Sequence, residues 1–206
     1  MTEPPLSESA AILTIQAASP GGVPALVDLT YRLFSEWGYA PVVYRADFAE
    51  GKPTLLQRLA LTLRRWRAQP IEERGLNTMI VPAPPLPLWA FYAVPQFLGG
   101  PLLGQHDQLM VISGSAHVAL PAALRGIPYT LWVATLYQDE LRAKADQEDG
   151  WAKGVLNSPT WPLLLAQERL ALRRAGRILA LSPHTAERIQ TLLPEAADRI
   201  ETVLYP

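Results

Sequence analysis

Short, continuously apolar segments alternate along the chain with longer segments that carry apolar residues at helical spacing. We predict strands at residues 11–18, 41–45, 78–81, 108–113, 129–135 and 177–181, and one more from residue 200. Most of these segments are nearly continuous apolar runs and do not alternate between apolar and polar residues. This pattern is typical of strands that are covered by helices on both faces.

The intervening segments supply the helices that such a sheet needs. Helical patterns occupy residues 23–37, 54–68, 116–124, 163–174 and 183–193. In the second of these, Thr54 and Gln57 have the spacing of a capping box. The alternation predicts an α/β fold with a doubly wound, mostly parallel, Rossmann-like sheet and helices on both faces. Ligands of such sheets bind at the carboxyl ends of the strands, so the loops after the strands are the candidate sites.

Length and composition narrow the class of protein. With 206 residues, we expect a polar tail at 1–10 and a single domain at 11–206. The tail is acidic and unlike a signal peptide, which makes the cytoplasm the default location. The net charge of −1 argues against a nucleic-acid partner. The absence of cysteine excludes disulfides, zinc thiolates and a thiol nucleophile.

Residues 76–106 carry no formal charge, and this stretch is long enough to span a membrane. Their prolines, at 82, 84, 85, 87, 95 and 101, would break a spanning helix. We therefore predict a buried connection with a short helix at 88–98, and the alternative is an exposed surface for a membrane or partner protein. The Arg-Arg-Trp-Arg sequence at 64–67 leaves a weak peripheral membrane contact open, although arginines near a helix end also suit the helix dipole.

The first candidate loop contains Gly21 and Gly22, between the first strand and the first helix. Adjacent glycines let the backbone approach a ligand closely, and a helix N-terminus favours an anion. The alternative is a plain strand–helix turn. The loop lacks the spacing of a dinucleotide-binding or Walker loop, which disfavours NAD, ATP and an unrelated flavodoxin-like module.

The second candidate loop follows the fourth strand and contains Ser115 and His117. We expect His117 to lie near a helix start and to face the cleft, where it could act as a hydrogen-bond donor or general acid/base. The alternative is a partly exposed helix-capping residue. The Gly-x-Ser-x-Gly sequence of a hydrolase nucleophile is absent.

The third candidate loop follows the fifth strand. Thr135 and Tyr137 are expected to line the cleft, and Asp139 and Glu140 lie where an acceptor hydroxyl or a general base would be needed. Beyond Glu140, the mixed charges to residue 149 indicate a solvated helix or a flexible flap.

Several motifs occur in the order found in one enzyme family. The first strand runs into the Gly21-Gly22 loop and a helix whose end falls within Leu33-Phe-Ser-Glu-Trp-Gly38-Tyr39-Ala-Pro-Val42. A late segment, Ala175-Gly-Arg-Ile-Leu-Ala-Leu-Ser-Pro-His-Thr-Ala-Glu-Arg-Ile189, is followed by Arg199-Ile-Glu-Thr-Val-Leu-Tyr-Pro206. In these features the chain resembles the N-terminal domain of GT-B glycosyltransferases, specifically the family 4-like group.

The resemblance implies an acceptor-binding domain whose acceptor is a glycan, a lipid or a small molecule. It implies that a second Rossmann-like domain binds the nucleotide-sugar, that transfer retains configuration, and that no cofactor or metal is needed. Gly21 and Gly22 would lie near the phosphate of the donor, and Ser182 and Thr185 at the edge of the cleft. Ser182 is also explained as a helix N-cap that precedes Pro183.

The chain departs from the family at the fifth strand. Many members carry a His directly after that strand, where this chain has Ala134 and Thr135. Whether His117 replaces it stays open. The family's paired glutamates belong to the donor domain, and two chance matches to their spacing here, Glu140/Glu148 and Glu187/Glu195, lie in the wrong structural context.

The sequence ends on Leu204-Tyr205-Pro206, directly after a predicted strand. We interpret this ending as the start of a connection to a donor-binding domain, so that the chain alone would be inactive. The alternative function is a non-catalytic binding or partner subunit that keeps this half-fold.

Overall fold

The computed structural model describes residues 8–15, 21–47, 68–82, 86, 88–93 and 100–203. Four predicted features lie partly or wholly outside these residues: the end of the first strand, the helix at 54–68 with its basic residues 64–67, the second half of the short helix at 88–98, and the ending at 204–206. In the described part, no helix combines the length and apolarity needed to cross a membrane.

Eight described strands form one sheet in the order β3-β4-β2-β1-β5-β6-β7-β8. Their bounds are β1 Ser9–Thr14, β2 Ala40–Asp47, β3 Gln69–Glu73, β4 Leu76–Pro82, β5 Gln108–Ser113, β6 Thr130–Val133, β7 Arg177–Ala180 and β8 Ile200–Thr202. All neighbours are parallel except β3 and β4, which form an antiparallel hairpin. The predicted doubly wound, mostly parallel α/β sheet is confirmed.

Eight described α-helices connect and cover the strands. They are α1 Gly22–Glu36, α2 Leu88–Ala93, α3 Gly100–Leu103, α4 Leu120–Arg125, α5 Tyr137–Asp146, α6 Gly150–Leu156, α7 Trp161–Arg174 and α8 Pro183–Leu192. Two 3₁₀ turns, Ala116–Ala119 and Pro194–Arg199, precede α4 and β8. The charged stretch after Glu140 is thus helical as far as Asp146.

Successive residues of the central strand β1 pack into separate cores, which is why its residues 10–13 are all apolar. Ile12 packs with Phe34 of α1 on one face of the sheet. Leu13 packs with Leu120 of α4 and Leu172 of α7 on the other face. Because side chains of a strand alternate between its faces, covering both faces requires an apolar residue at every position.

The hairpin strand β3 was missed by the sequence analysis. Its sequence, Gln-Pro-Ile-Glu-Glu, is mostly exposed and contains a single apolar residue other than proline. The two-residue turn that joins it to β4 has Arg74 and Gly75 at positive φ, 56° and 77°. Arginine is not a usual residue for such a turn, so neither the strand nor the turn carries a clear sequence signal.

Two glycine-to-alanine substitutions should change stability in opposite directions. Gly126 ends α4 in the left-handed region, at φ 68°, where an alanine costs roughly 1–2 kcal/mol. Gly154 lies within α6, where an added Cβ meets nothing within 4 Å, and alanine should stabilise by about 0.5–1 kcal/mol. Urea unfolding of Gly126→Ala and Gly154→Ala measures both effects. Two stability changes of the same sign would contradict the left-handed conformation of Gly126 or the helical position of Gly154.

Candidate functional site

The order of the strands reverses at β1, and this places the candidate site. The chain proceeds from β1 outward to β2 and β4, then returns to the other side of β1 as β5. In an open parallel sheet, the connections after two strands on either side of such a reversal leave in opposite directions, and the crevice at that point is the usual ligand site. The loops after β6 and β7 lie at the same carboxyl edge of the sheet.

Gly21 forms the N-cap of α1 and is exposed to solvent. Its φ of 165° is extended backbone that any residue adopts, and an added Cβ would approach no described atom more closely than Cδ of Pro24, at 3.9 Å. The backbone conformation of this residue therefore does not require glycine. Gly22 begins the helix, whose first turn contains no acidic residue, so the N-terminal partial charge is not offset there.

The loop after β5 has a similar feature at Gly114. A Cβ added at this residue would meet nothing within 4 Å. The Oγ of Ser113 accepts a hydrogen bond from the amide of Ser115 at 3.3 Å. The carbonyl of Gly114 accepts another from the amide of Thr135 at 3.2 Å, which ties the loop after β6 to this one. Ser115 and Thr135 are both half-buried at the carboxyl edge.

His117 is only 1% exposed, so it is not the partly exposed or cleft-facing residue that we expected. Its ring packs against Tyr92 and Tyr137, with centroids 5.3 and 4.9 Å away, and its Nε2 lies 2.9 Å from the carbonyl oxygen of Leu164. Burial lowers the pKa of His117 to about 4, although the bond to that carbonyl opposes the shift. The imidazole is therefore neutral and enclosed.

Ser182 and Thr185 join β7 and α8 to the loop after β6. The amide of Thr185 donates to Oγ of Ser182 at 3.0 Å, which is the N-cap predicted from the sequence. The hydroxyl of Thr185 donates to the carbonyl of Ala134 at 2.8 Å. Since that bond uses its proton, the hydroxyl of Ser182 donates to Oγ1 of Thr185, at 2.9 Å. These bonds give both side chains a structural role at the edge.

The two acidic candidates of α5 are both in ion pairs. Asp139 accepts two hydrogen bonds from Arg188 of α8, at 3.0 and 2.8 Å. These bonds hold the pKa of Asp139 below its ordinary value, against the opposing effect of burial. Glu140 pairs with Lys144 at 2.6 Å, one turn further along the helix. Asp139 is therefore an ionised group with a partner, which weakens it as a general base.

The sequence analysis missed Glu168, which is 1% exposed. Its Oε1 accepts a hydrogen bond from the amide of Tyr137 at 2.7 Å, so α7 supplies the cap of α5 that Leu136 cannot supply. Burial raises the pKa of Glu168 to about 7, although the bond from Tyr137 lowers it. One signal was available: Glu168 lies at helical spacing between the buried residues Leu164 and Leu172.

No protein-family model and no curated protein sequence matches this chain. Within the described residues, no group of three or more histidine and carboxylate side chains could hold a metal ion.

An open depression exists at the opposite, amino-terminal edge of the sheet, beside the β3–β4 turn. It is lined by Tyr31, Pro70, Ile71, Glu72, Gly75 and Asn77. The loops after the parallel strands lie at the other edge, so this depression contains none of the residues expected to bind a ligand.

Substituting Glu168→Gln should change how stability depends on pH. Because the pKa of Glu168 rises from 4.5 to about 7 on folding, the native state holds more protons than the unfolded state between these values. This residue therefore makes the free energy of unfolding fall as pH rises through the window. The variant lacks that contribution, so its stability relative to the parent should increase from pH 4.5 to 7 in urea titrations.

His117→Gln is the matched control, because the shift of the pKa of His117, from 6.5 to about 4, has the opposite sign. Its contribution to stability is complete above pH 6.5 and is lost as pH falls toward 4. Relative to the parent, this variant should gain stability as pH falls. If the stability of both variants relative to the parent changed in the same direction with pH, the opposite directions of the two pKa shifts would be contradicted.

Proposed function

We propose that this chain is the acceptor-binding half of a GT-B glycosyltransferase of the family 4-like group. In this proposal a second Rossmann-like domain, in the same protein or in a partner subunit, binds the nucleotide-sugar. The reaction takes place in the cleft between the two, at the carboxyl edge of the sheet. The acceptor is a glycan, a lipid or a small molecule.

The observation that carries the proposal is the pair of glycines at the switch point. Gly21 and Gly114 follow the neighbouring strands β1 and β5, and a Cβ on either would meet no described atom within 3.8 Å, the sole contact being 3.9 Å from Gly21 to Pro24. Other glycines of the chain also have space for a Cβ, but these two lie at the edge where ligands of such sheets bind, and a glycine there lets a ligand approach the backbone closely. The order of the sequence motifs, from Gly38-Tyr39 to Ser182, is the reason for proposing the family 4-like group in particular.

In this proposal the chain contributes to the reaction mainly by electrostatic stabilisation. When the glycosidic bond to the nucleotide breaks, negative charge develops on the departing diphosphate. The N-terminus of α1 presents a partial positive charge to that position. Such preorganised dipoles stabilise developing charge without having to reorient during the reaction. The resemblance implies retention of configuration and a reaction that needs no metal.

A non-catalytic binding subunit is the second candidate, and the state of two side chains favours it. His117 is enclosed by Tyr92 and Tyr137, and Asp139 is held by Arg188. Neither of these two candidates for acid/base chemistry is thus placed to exchange a proton with a substrate. A subunit that binds an acceptor without turning it over would need neither of them.

Gly21→Ala should impair glycosyl transfer without destabilising the fold. The assay incubates the complete natural protein, including any donor-binding domain or partner subunit, with radiolabelled UDP-, GDP- and ADP-sugars and a panel of glycan, lipid and small alcohol acceptors. We expect transfer by the parent and a drop in kcat of roughly 10²-fold in the variant, because the added methyl group holds the donor phosphate away from the backbone and a displacement of about 1 Å can cost that much. Thermal unfolding should be unchanged.

Gly150→Ala is the matched control, since a Cβ there also meets nothing within 4 Å and the residue begins α6, away from the switch point. It should keep full activity. Acceptor binding without transfer would favour the non-catalytic subunit. Failure to bind any nucleotide-sugar or acceptor would refute the proposal, and so would transfer by residues 1–206 alone.

A further inference from the structure

Helices α5 and α6 pack into a small core of their own. Tyr137 and Ala152, one from each helix, are buried there together with Leu164, which lies near the start of α7. Further along α7, Leu172 belongs to the large core that covers one face of the sheet. The boundary between the two cores therefore crosses α7. Residues 137–156, which we call the α5–α6 unit, lie beyond this boundary.

Polar contacts join the start of α5 to the rest of the fold. The amide of Tyr137 donates to Glu168 of α7 at 2.7 Å. Asp139 accepts two bonds from Arg188 of α8, at 3.0 and 2.8 Å. Two ion pairs further along stay within the unit: Lys144 with Glu140, and Lys153 with Glu148. The unit is thus attached at its first turn, whereas its later charged side chains pair with one another.

This attachment lies at the carboxyl edge of the sheet, beside the proposed ligand crevice. α5 begins directly after the loop that follows β6. In that loop the amide of Thr135 donates to the carbonyl of Gly114 at 3.2 Å, and Gly114 borders the crevice. A movement of α5 would therefore be transmitted through Thr135 to a loop that lines the crevice.

We propose that the α5–α6 unit is a gate beside the crevice, which opens as one piece while the sheet and its large core stay folded. Regions that bury few apolar side chains open at a lower free energy than the whole fold does, and a small separate core has this property. Glu168 is the latch of the gate. In the closed form its carboxyl group is enclosed against the start of α5, and in the open form it reaches solvent.

The titration of Glu168 makes opening depend on pH. Burial raises the pKa of Glu168 to about 7 in the closed form, and solvent returns it to 4.5 in the open form. Between these values the closed form holds more protons, so the equilibrium constant for opening rises about tenfold for each pH unit. Above pH 7 the carboxyl group is ionised in both forms and the constant levels off.

Other ionisable groups surround this latch. They face Glu168 or lie on the elements packed against α7: Asp139 and Glu140 of α5, His117 of the 3₁₀ turn, Tyr92 of α2, Arg125 of α4 and Lys153 of α6. The charges of Asp139 and Glu140 raise the pKa of Glu168 further. Burial lowers the pKa of His117 to about 4 and raises the pKa of Tyr92, so neither changes charge between pH 5 and 8.

Hydrogen exchange of the parent chain in increasing urea tests the gate. We expect peptides within residues 137–156 to exchange through an opening that urea promotes only weakly, because it exposes little surface. Peptides from β1 should exchange through unfolding of the whole domain, which urea promotes strongly. One common free energy of opening with one urea dependence for both segments would overturn the gate. The glycosyltransferase assignment is not needed, since exchange is measured without a substrate.

Glu168→Gln tests the latch. In the parent at low urea, the protection of residues 137–140, corrected for the intrinsic exchange rate, should fall roughly 40-fold from pH 5 to pH 7. Glu168→Gln should show no such fall, because its amide does not titrate. Glu148→Gln is the matched control, since Glu148 pairs with Lys153 inside the unit, and it should keep the profile of the parent. A flat profile in the parent, or the parent's profile in Glu168→Gln, would refute the latch.

Discussion

The complete burial of residues 10–14 of strand β1 is the constraint on which the rest of the structure depends. Ala10, Ala11, Ile12, Leu13 and Thr14 have no exposed surface. A parallel strand in this position needs a hydrogen-bonding neighbour on each side and a helical layer on each face, because buried backbone and apolar side chains must both be satisfied. β2 and β5 supply the ladders, and α1 on one face and α4 with α7 on the other supply the layers. The same arrangement makes β1 the point where the order of strands reverses, so the requirement for a core and the location of the crevice have one cause.

The sequence predicted the structure best for strands that are buried on both faces. It predicted the structure least well where a single side-chain contact determines the conformation. Seven of the eight described strands were predicted; six of them carry a mostly apolar run that a helical pattern follows, whereas β8, with the sequence Ile-Glu-Thr, is mostly exposed. β3 was not predicted, since an edge strand needs only one covered face and its hairpin turn uses Arg74 where an asparagine or glycine would have been recognised. The loops of the site were found from topology, but the direction of their side chains was not. His117 belongs to a 3₁₀ turn whose four residues are all buried, and a segment without a polar face has no periodicity from which to infer which way a side chain points.

Glu168 illustrates the same limit from the opposite direction. A carboxylate within an apolar helical stripe was visible in the sequence, but its role depends on the start of α5, more than 30 residues earlier in the chain. The helix begins after Leu136, a residue with no side chain able to cap it, and the missing cap comes from α7. Only the packing of two helices reveals such a cap, because the motifs used to read helix ends are local. By contrast Ser182, which caps its own helix, was predicted and has the expected bond to the amide of Thr185.

Most of the polar side chains discussed at the described part of the carboxyl edge form hydrogen bonds or ion pairs within the fold. Ser182 and Thr185 hold the loop after β6, Asp139 holds α8 through Arg188, and His117 bonds to the backbone of α7. Among the described residues of this edge, Gly21 and Gly114 lack side chains although a Cβ would meet no described atom closer than 3.9 Å. A site built in this way can bring its backbone close to a ligand and can stabilise charge with a helix terminus, but it offers few groups for proton transfer. These properties are compatible with the half-site that we propose, in which a second domain or subunit supplies the remaining contacts to the donor.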